Sequence, residues 1–356
     1  MWQLDNRTPF AADRAWVRDR DGTEIWLVAV KASFTLQPDG RLKVADEQPP
    51  VTQAPRHNGK PGGSSLQYDT DLPRTRLTTD VILNGCAHAP RAEPVASLDV
   101  GLAVGPVVKM LRVFGDRIWQ GRSMSSPRPF TAMPLVYERA YGGRDARAGT
   151  PEAPSLDVRN PVGTGWIEAA EHADGTPLPN VEDPRALIRH WNDRPAPAGF
   201  GAIACHWQPR ASLAGTYDDH WEQTRLPLLP DDFDDRHYQC APLDQQAPQF
   251  LRGGEPVTLR NLTLGGGDVR FHLPRVHLAF ETFFRAGEQV AHAPPRLHTV
   301  ILEPGEARVS LVWHTSLPCH PKVLKLQRTR IRLKQDLRDG ILAPQPIDGG
   351  VANDVA

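Results

Sequence analysis

The sequence has little cysteine, no long apolar run and no excess of either charge, and each lack excludes something. Four cysteines, Cys86, Cys205, Cys240 and Cys319, are scattered over 356 residues with no CxxC spacing. That rules out a disulfide-stapled fold and the usual zinc-ribbon pattern. Three of them have a histidine within two residues (Cys86 with His88, Cys205 with His206, Cys319 with His320). Thiolate and imidazole would make a zinc site only if such pairs converged, and neighbours on a strand point to opposite faces, so buried free thiols are expected and no cofactor. No stretch approaches the roughly 18 to 20 apolar residues of a membrane span. Residues 1–7 carry charge where a secretory leader needs an apolar run, so the expectation is a soluble cytoplasmic protein. Lys plus Arg is 41 and Asp plus Glu is 42. A balance of that kind does not suit a nucleic-acid coat or a partner captured by bulk electrostatics.

Proline and glycine are plentiful, at 35 and 29 residues. Proline at that density breaks long helices, and the 40% hydrophobic content is too high for a disordered chain. The composition points to ordered loops around a β core. Residues 26–34 alternate, with Trp26, Val28, Val30, Ala32 and Phe34 on one face and Lys31 on the other, and Pro38-Asp39-Gly40 supplies the turn of a hairpin. Further strand signals cover 79–83 and 95–119, then 257–264, 269–284, 297–303, 307–314 and 323–334. The fold class expected is mainly β: an antiparallel sandwich or flattened barrel with a long loop-rich central segment and one or two short helices. The boundaries are an N-terminal β region at 1–122, a Pro/Gly/Trp-rich centre at 123–250, a C-terminal β region at 251–338 and a flexible tail at 339–356.

The centre carries Trp166, Trp191, Trp207 and Trp221, a frequency that implies packing rather than solvation. One helix start stands out there, with Asp183 as cap, Pro184 in the first turn and Leu187, Ile188 and Trp191 on one face. In the last strand Arg328, Arg330, Arg332 and Lys334 share parity, which makes a cationic row suited either to protecting a sheet edge or to docking an acidic partner.

Chemistry is harder to find. Asp218 and Asp219 precede Trp221, and Asp231-Asp232-Phe233-Asp234-Asp235 follows, a grouping of acids and aromatics that a glycosidase or glycan-binding protein would use. The same aspartates are suited to bonding their own backbone in turns. The twelve-position calcium loop and GxSxG are absent, and Gly142-Gly143 and Gly253-Gly254 lack the context of a phosphate loop. Tyr137 to Gly143 reads as a tight turn packed by tyrosines. His272 and His277, five apart in one expected strand, face opposite sides.

An ordered series of short motifs resembles one bacterial family. Asn6-Arg7-Thr8-Pro9-Phe10, Lys31-Ala32-Ser33-Phe34, Tyr68 with Asp71-Leu72, and Thr79-Asp80-Val81 come first. Ser126-Pro127-Arg128-Pro129-Phe130, Met133-Pro134-Leu135, Tyr137-Glu138, Asn160-Pro161-Val162-Gly163 and Leu178-Pro179-Asn180 follow. Gly199-Phe200-Gly201, Ala214-Gly215-Thr216-Tyr217-Asp218, Asp232-Phe233-Asp234 and Gly253-Gly254-Glu255 complete it. The chain is similar to domain-of-unknown-function family 2169, associated with type VI secretion. The resemblance implies a non-enzymatic cytoplasmic adaptor or chaperone, which holds a type VI effector or its PAAR-like domain and delivers it to the VgrG spike. It carries over no catalytic residue. A structural accessory of the secretion apparatus is a further alternative. Candidate docking residues are Trp191, Trp207, Tyr217, Asp218 and Trp221, with Arg328, Arg330 and Arg332 on the cationic row.

Overall fold

The computed structural model describes residues 2–150, 152–319, 322–338 and 340–342. The alternation in residues 26–34 becomes the strand Glu24–Leu36, the spine of a six-stranded sheet. Across that sheet lie Ala11–Arg18, Glu24–Leu36, Arg308–Pro318, Arg296–Glu303 and Asp80–Leu83, with Leu42–Val44 folded back by the Pro38-Asp39-Gly40 turn. Gly40 takes a φ of +81° there, which favours glycine. Neighbours are antiparallel except Asp80–Leu83, which runs parallel to Arg296–Glu303.

Both faces of this central sheet are covered. Trp26, Val28, Val30, Ala32 and Phe34 share one apolar core with Val100, Leu102, Leu111 and Val113 of a five-stranded sheet, and with Phe280 and Ile331 of a four-stranded sheet. The five-stranded sheet runs Val181–Glu182, Val107–Phe114, Ser97–Val104, Pro256–Arg260, Asp268–His272. The four-stranded sheet runs Gln3–Arg7, Leu326–Leu333, Leu278–Phe284, Gln289–Ala291. Trp26 ties two layers together, since its indole N–H donates to the Thr329 hydroxyl at 2.8 Å. The opposite face of the spine carries Lys31 and Ser33, and the Gln48 amide clasps the Ser33 N–H and C=O at 2.9 Å each. The architecture is mainly β and sandwich-like, with no closed barrel among the described residues.

Several expectations need correction. Strands from 1–122 and 251–338 pair with one another in all three large sheets, so a boundary at 122 or 251 cuts through hydrogen-bonded partners. The run 269–284 is two strands in two different sheets, Asp268–His272 and Leu278–Phe284, and His277 lies between them. The expected helix at 183–191 is a series of turns. Its N–H groups meet carboxylates instead: Arg185 donates to Asp183, Ile188 to Glu182, and Arg189 and His190 to Asp193. The α-helix among the described residues is Asp219–Thr224, capped by the Asp218 carboxylate on the Trp221 N–H. The tail expected from 339 lies outside the described residues except for 340–342, where Ile341–Leu342 pairs with Leu337–Arg338.

The central segment is held by two further clusters. Trp207, Tyr137, Ile82, Leu66 and Cys240 pack on the polar side of the central sheet. Trp119, Tyr141, Ile167, Leu178 and Ile188 form the other, with Trp166 and Trp191 half-buried against it. The Tyr137 to Gly143 turn is closed by Asn160, whose amide donates to Tyr137 O at 2.8 Å and Tyr141 O at 3.0 Å. At Gly143, with φ +89°, a β-carbon would stand 2.2 Å from Gly163 O, so this approach requires glycine.

Candidate functional site

The aromatic candidates separate by burial. Trp207 is 2% exposed and meets Tyr137 edge-on at 5.9 Å, so it is core and not a docking anchor. Trp191 is half-buried, and its carbonyl accepts from Arg194. Tyr217 is 54% exposed and meets Trp221 edge-on at 4.7 Å. These two stand on a loop clamped at its base by Asp232, which accepts the Thr216 N–H at 2.9 Å and hydroxyl at 2.7 Å. Within the loop the Trp221 indole donates to Leu228 O, and Arg225 donates to Leu229 O and across to Arg20 O. Leu226 projects with 55% of its surface exposed. The result is a fixed apolar ledge on a polar loop.

The aspartates nearby act on the backbone. Asp218 caps the helix, Asp232 closes the loop, and Asp234 accepts the Arg236 N–H and pairs with its guanidinium. Among the described residues no group of three His, Cys, Asp or Glu is arranged to hold a metal ion. All four cysteines are free.

The cationic row is not on an edge. Leu326–Leu333 lies between Gln3–Arg7 and Leu278–Phe284, which corrects the edge-protection expectation. Arg330 pairs with Asp5 at 2.9 Å, and Arg332 stands 3.9 Å from Glu281. The guanidinium groups of Arg328 and Arg330 lie 4.8 and 5.0 Å from the Phe283 ring. Arg328 and Arg332 are exposed, and Arg330 is half-buried.

A buried polar network that the sequence does not announce lies on the other face of the central sheet. Lys31 pairs with Asp71 at 2.9 Å, both almost fully buried. Arg76 pairs with Asp80, and the Asp80 carboxylate also accepts the Gln239 amide at 2.8 Å and the Cys240 N–H at 2.7 Å. Tyr68 donates to Glu303, which Arg308 grips with two nitrogens. Burial and that carboxylate push the Tyr68 hydroxyl up to about 12. Lys31, Tyr68, Glu303 and Arg308 line a cavity of about 860 Å³. Lys31, Tyr68, Asp71 and Asp80 all belong to motifs quoted above; only in three dimensions do they share a side of one sheet.

His298 and His314 meet beside this network as tilted rings with centroids 4.0 Å apart, and the Nδ1 of each has no partner. His298 falls where the register shifts between Leu297 and Thr299. Burial holds His314 down at about 3, and burial with the neighbouring ring holds His298 well below the usual imidazole range. Both rings are neutral in the fold, whereas the unfolded chain protonates them near about pH 6.5. Their contribution to stability is therefore complete above that pH and is lost as the pH falls toward about 3. At Asp145 burial would raise the carboxyl, but hydrogen bonds from Glu168, His172 and Arg147 outweigh it and hold it at about 2. That contribution is present above about pH 4 and lost below it. Urea midpoints followed from about pH 7.5 to 2.5 should fall in two stages. A flat profile between about pH 7 and 5 would contradict the neutral histidine pair.

No curated protein and no solved structure matches the chain. Residues 21–314 match the DUF2169 family, described as "Uncharacterized protein conserved in bacteria", and the match covers the loop ledge, the buried network and the central sheet apart from Ala11–Arg18 and the last residues of Arg308–Pro318. The chain belongs to that bacterial family.

Proposed function

We propose that the chain is a cytoplasmic, non-enzymatic adaptor that binds a type VI secretion effector or its PAAR-like domain and assists its loading onto the VgrG spike. The observation that carries the reading is the ledge of Tyr217, Trp221 and Leu226, presented by a loop whose own carboxylates fix its shape. Aromatic side chains held rigidly at a surface lose little freedom on docking and supply most of the affinity of many interfaces. The acids beside them are engaged with backbone N–H groups, which supports recognition over acid–base chemistry. A loop of this kind on a β scaffold suits a partner that must be held and then released at the spike.

The test is co-expression with a PAAR-bearing type VI effector. Tyr217→Ala is expected to weaken the complex by about 2 kcal/mol, read by calorimetry. Its own unfolding midpoint should barely move, because the ring is mostly solvated. In the parent bacterium, deletion should stop delivery of one cognate effector while others are still secreted. Delivery of every effector without the protein would refute the reading, and loss of all secretion would favour a structural part of the apparatus.

A further inference from the structure

Two cavities, of about 860 and 310 Å³, lie side by side on the polar face of the central sheet and share Gln67, Glu303 and Glu306 in their walls. Shared walls make them one elongated groove. Lys31 and Arg308 line its larger half, and both are already satisfied, by Asp71 and by Glu303. Three other side chains make no hydrogen bond or ion pair among the described residues, although Glu306 lies within the field of Arg308. The Arg56 guanidinium is exposed 5.5 Å from the Tyr68 ring, Glu306 is exposed, and the half-buried Gln67 carboxamide sits where the two halves meet.

This unfilled capacity defines a ligand. A free carboxamide offers one acceptor and two donors, the complement of a peptide group. A lone cation and a lone anion on one groove select a molecule with both signs, set apart along its length. Neutral sugars would leave both charges unused, and a polyphosphate chain would meet Glu306 with like charge. We propose that the groove holds an extended polypeptide segment, with an acidic side chain against Arg56, a peptide group against Gln67 and a basic side chain at Glu306. In naming that segment as part of the cargo, the proposal rests on the adaptor reading and gives its partner a chemistry.

A phage-displayed random dodecapeptide library, selected on the purified full chain, tests it directly. Enriched sequences should pair Asp or Glu with Lys or Arg. As synthetic peptides they should bind Arg56→Glu, Gln67→Ala and Glu306→Lys at least ten-fold more weakly than the parent protein. Reversing the peptide's acidic residue should restore binding to Arg56→Glu, a rescue that a damaged fold cannot give. No enrichment, equal binding by all variants, or capture of neutral glycans lost in Gln67→Ala would overturn the proposal. Effector binding that survives Arg56→Glu with Glu306→Lys but fails in Tyr217→Ala would also overturn it while leaving the adaptor reading intact. Peptide capture with the expected variant losses, but without binding of any effector, would support the groove and defeat the adaptor reading.

Discussion

Asp80→Ala is expected to cost about 3 to 5 kcal/mol of unfolding free energy, measured by urea denaturation at neutral pH. The magnitude follows from what is left behind. Arg76 is fully enclosed, and the substitution removes its counter-charge while its Nε already lacks a hydrogen-bond partner. The Gln239 amide loses its closer acceptor and the Cys240 N–H its own in the same step, which weakens the tie between that part of the central segment and the sheet. Arg76→Met with Asp80→Leu removes both charges and should recover much of the loss, because paired apolar side chains leave no bare ion buried. A single Asp80→Ala variant within about 1 kcal/mol of the parent would mean that water reaches Arg76 in the folded chain.

The second large effect is expected at Trp26. Its indole is 1% exposed, sits in the shared core and donates across to Thr329. Trp26→Ala should cost about 3 to 5 kcal/mol, the usual range for emptying a large aromatic site. Trp26→Phe separates the two contributions. It keeps most of the packing and loses the hydrogen bond, so about 1 kcal/mol is expected. Thr329 retains a partner in the Thr282 hydroxyl at 2.7 Å, which keeps that loss small. Equal losses in the two variants would show that the hydrogen bond, rather than the filled volume, holds the layers together.

What was legible in the sequence was local. Alternation over residues 26–34 gave the spine and its apolar face, and Pro38-Asp39-Gly40 gave the hairpin, because period two and turn chemistry are written within a few residues. The parallel pairings of Asp80–Leu83 with Arg296–Glu303 and of Gln3–Arg7 with Leu326–Leu333 have no such trace. They join segments more than two hundred residues apart. Period two places Lys31 on the face opposite Trp26, yet nothing nearby marks Asp71 as its partner. The 183–191 prediction failed because Asp183 and Pro184 are equally good turn formers, and carboxylates from Glu182 and Asp193 took the N–H groups a helix would have used. Trp207 and Tyr217 look alike as sequence. Only the enclosing cluster makes one of them core and leaves the other in solvent.

The interleaving of early and late strands bears on how the polypeptide is made. Glu24–Leu36 acquires its neighbour Arg308–Pro318 only after more than three hundred residues have been synthesised. Closing loops of that length makes folding slow and exposes unpaired strands to other nascent chains in the meantime. For a ribosome this is an all-or-nothing product, with no stable lobe emerging ahead of the rest.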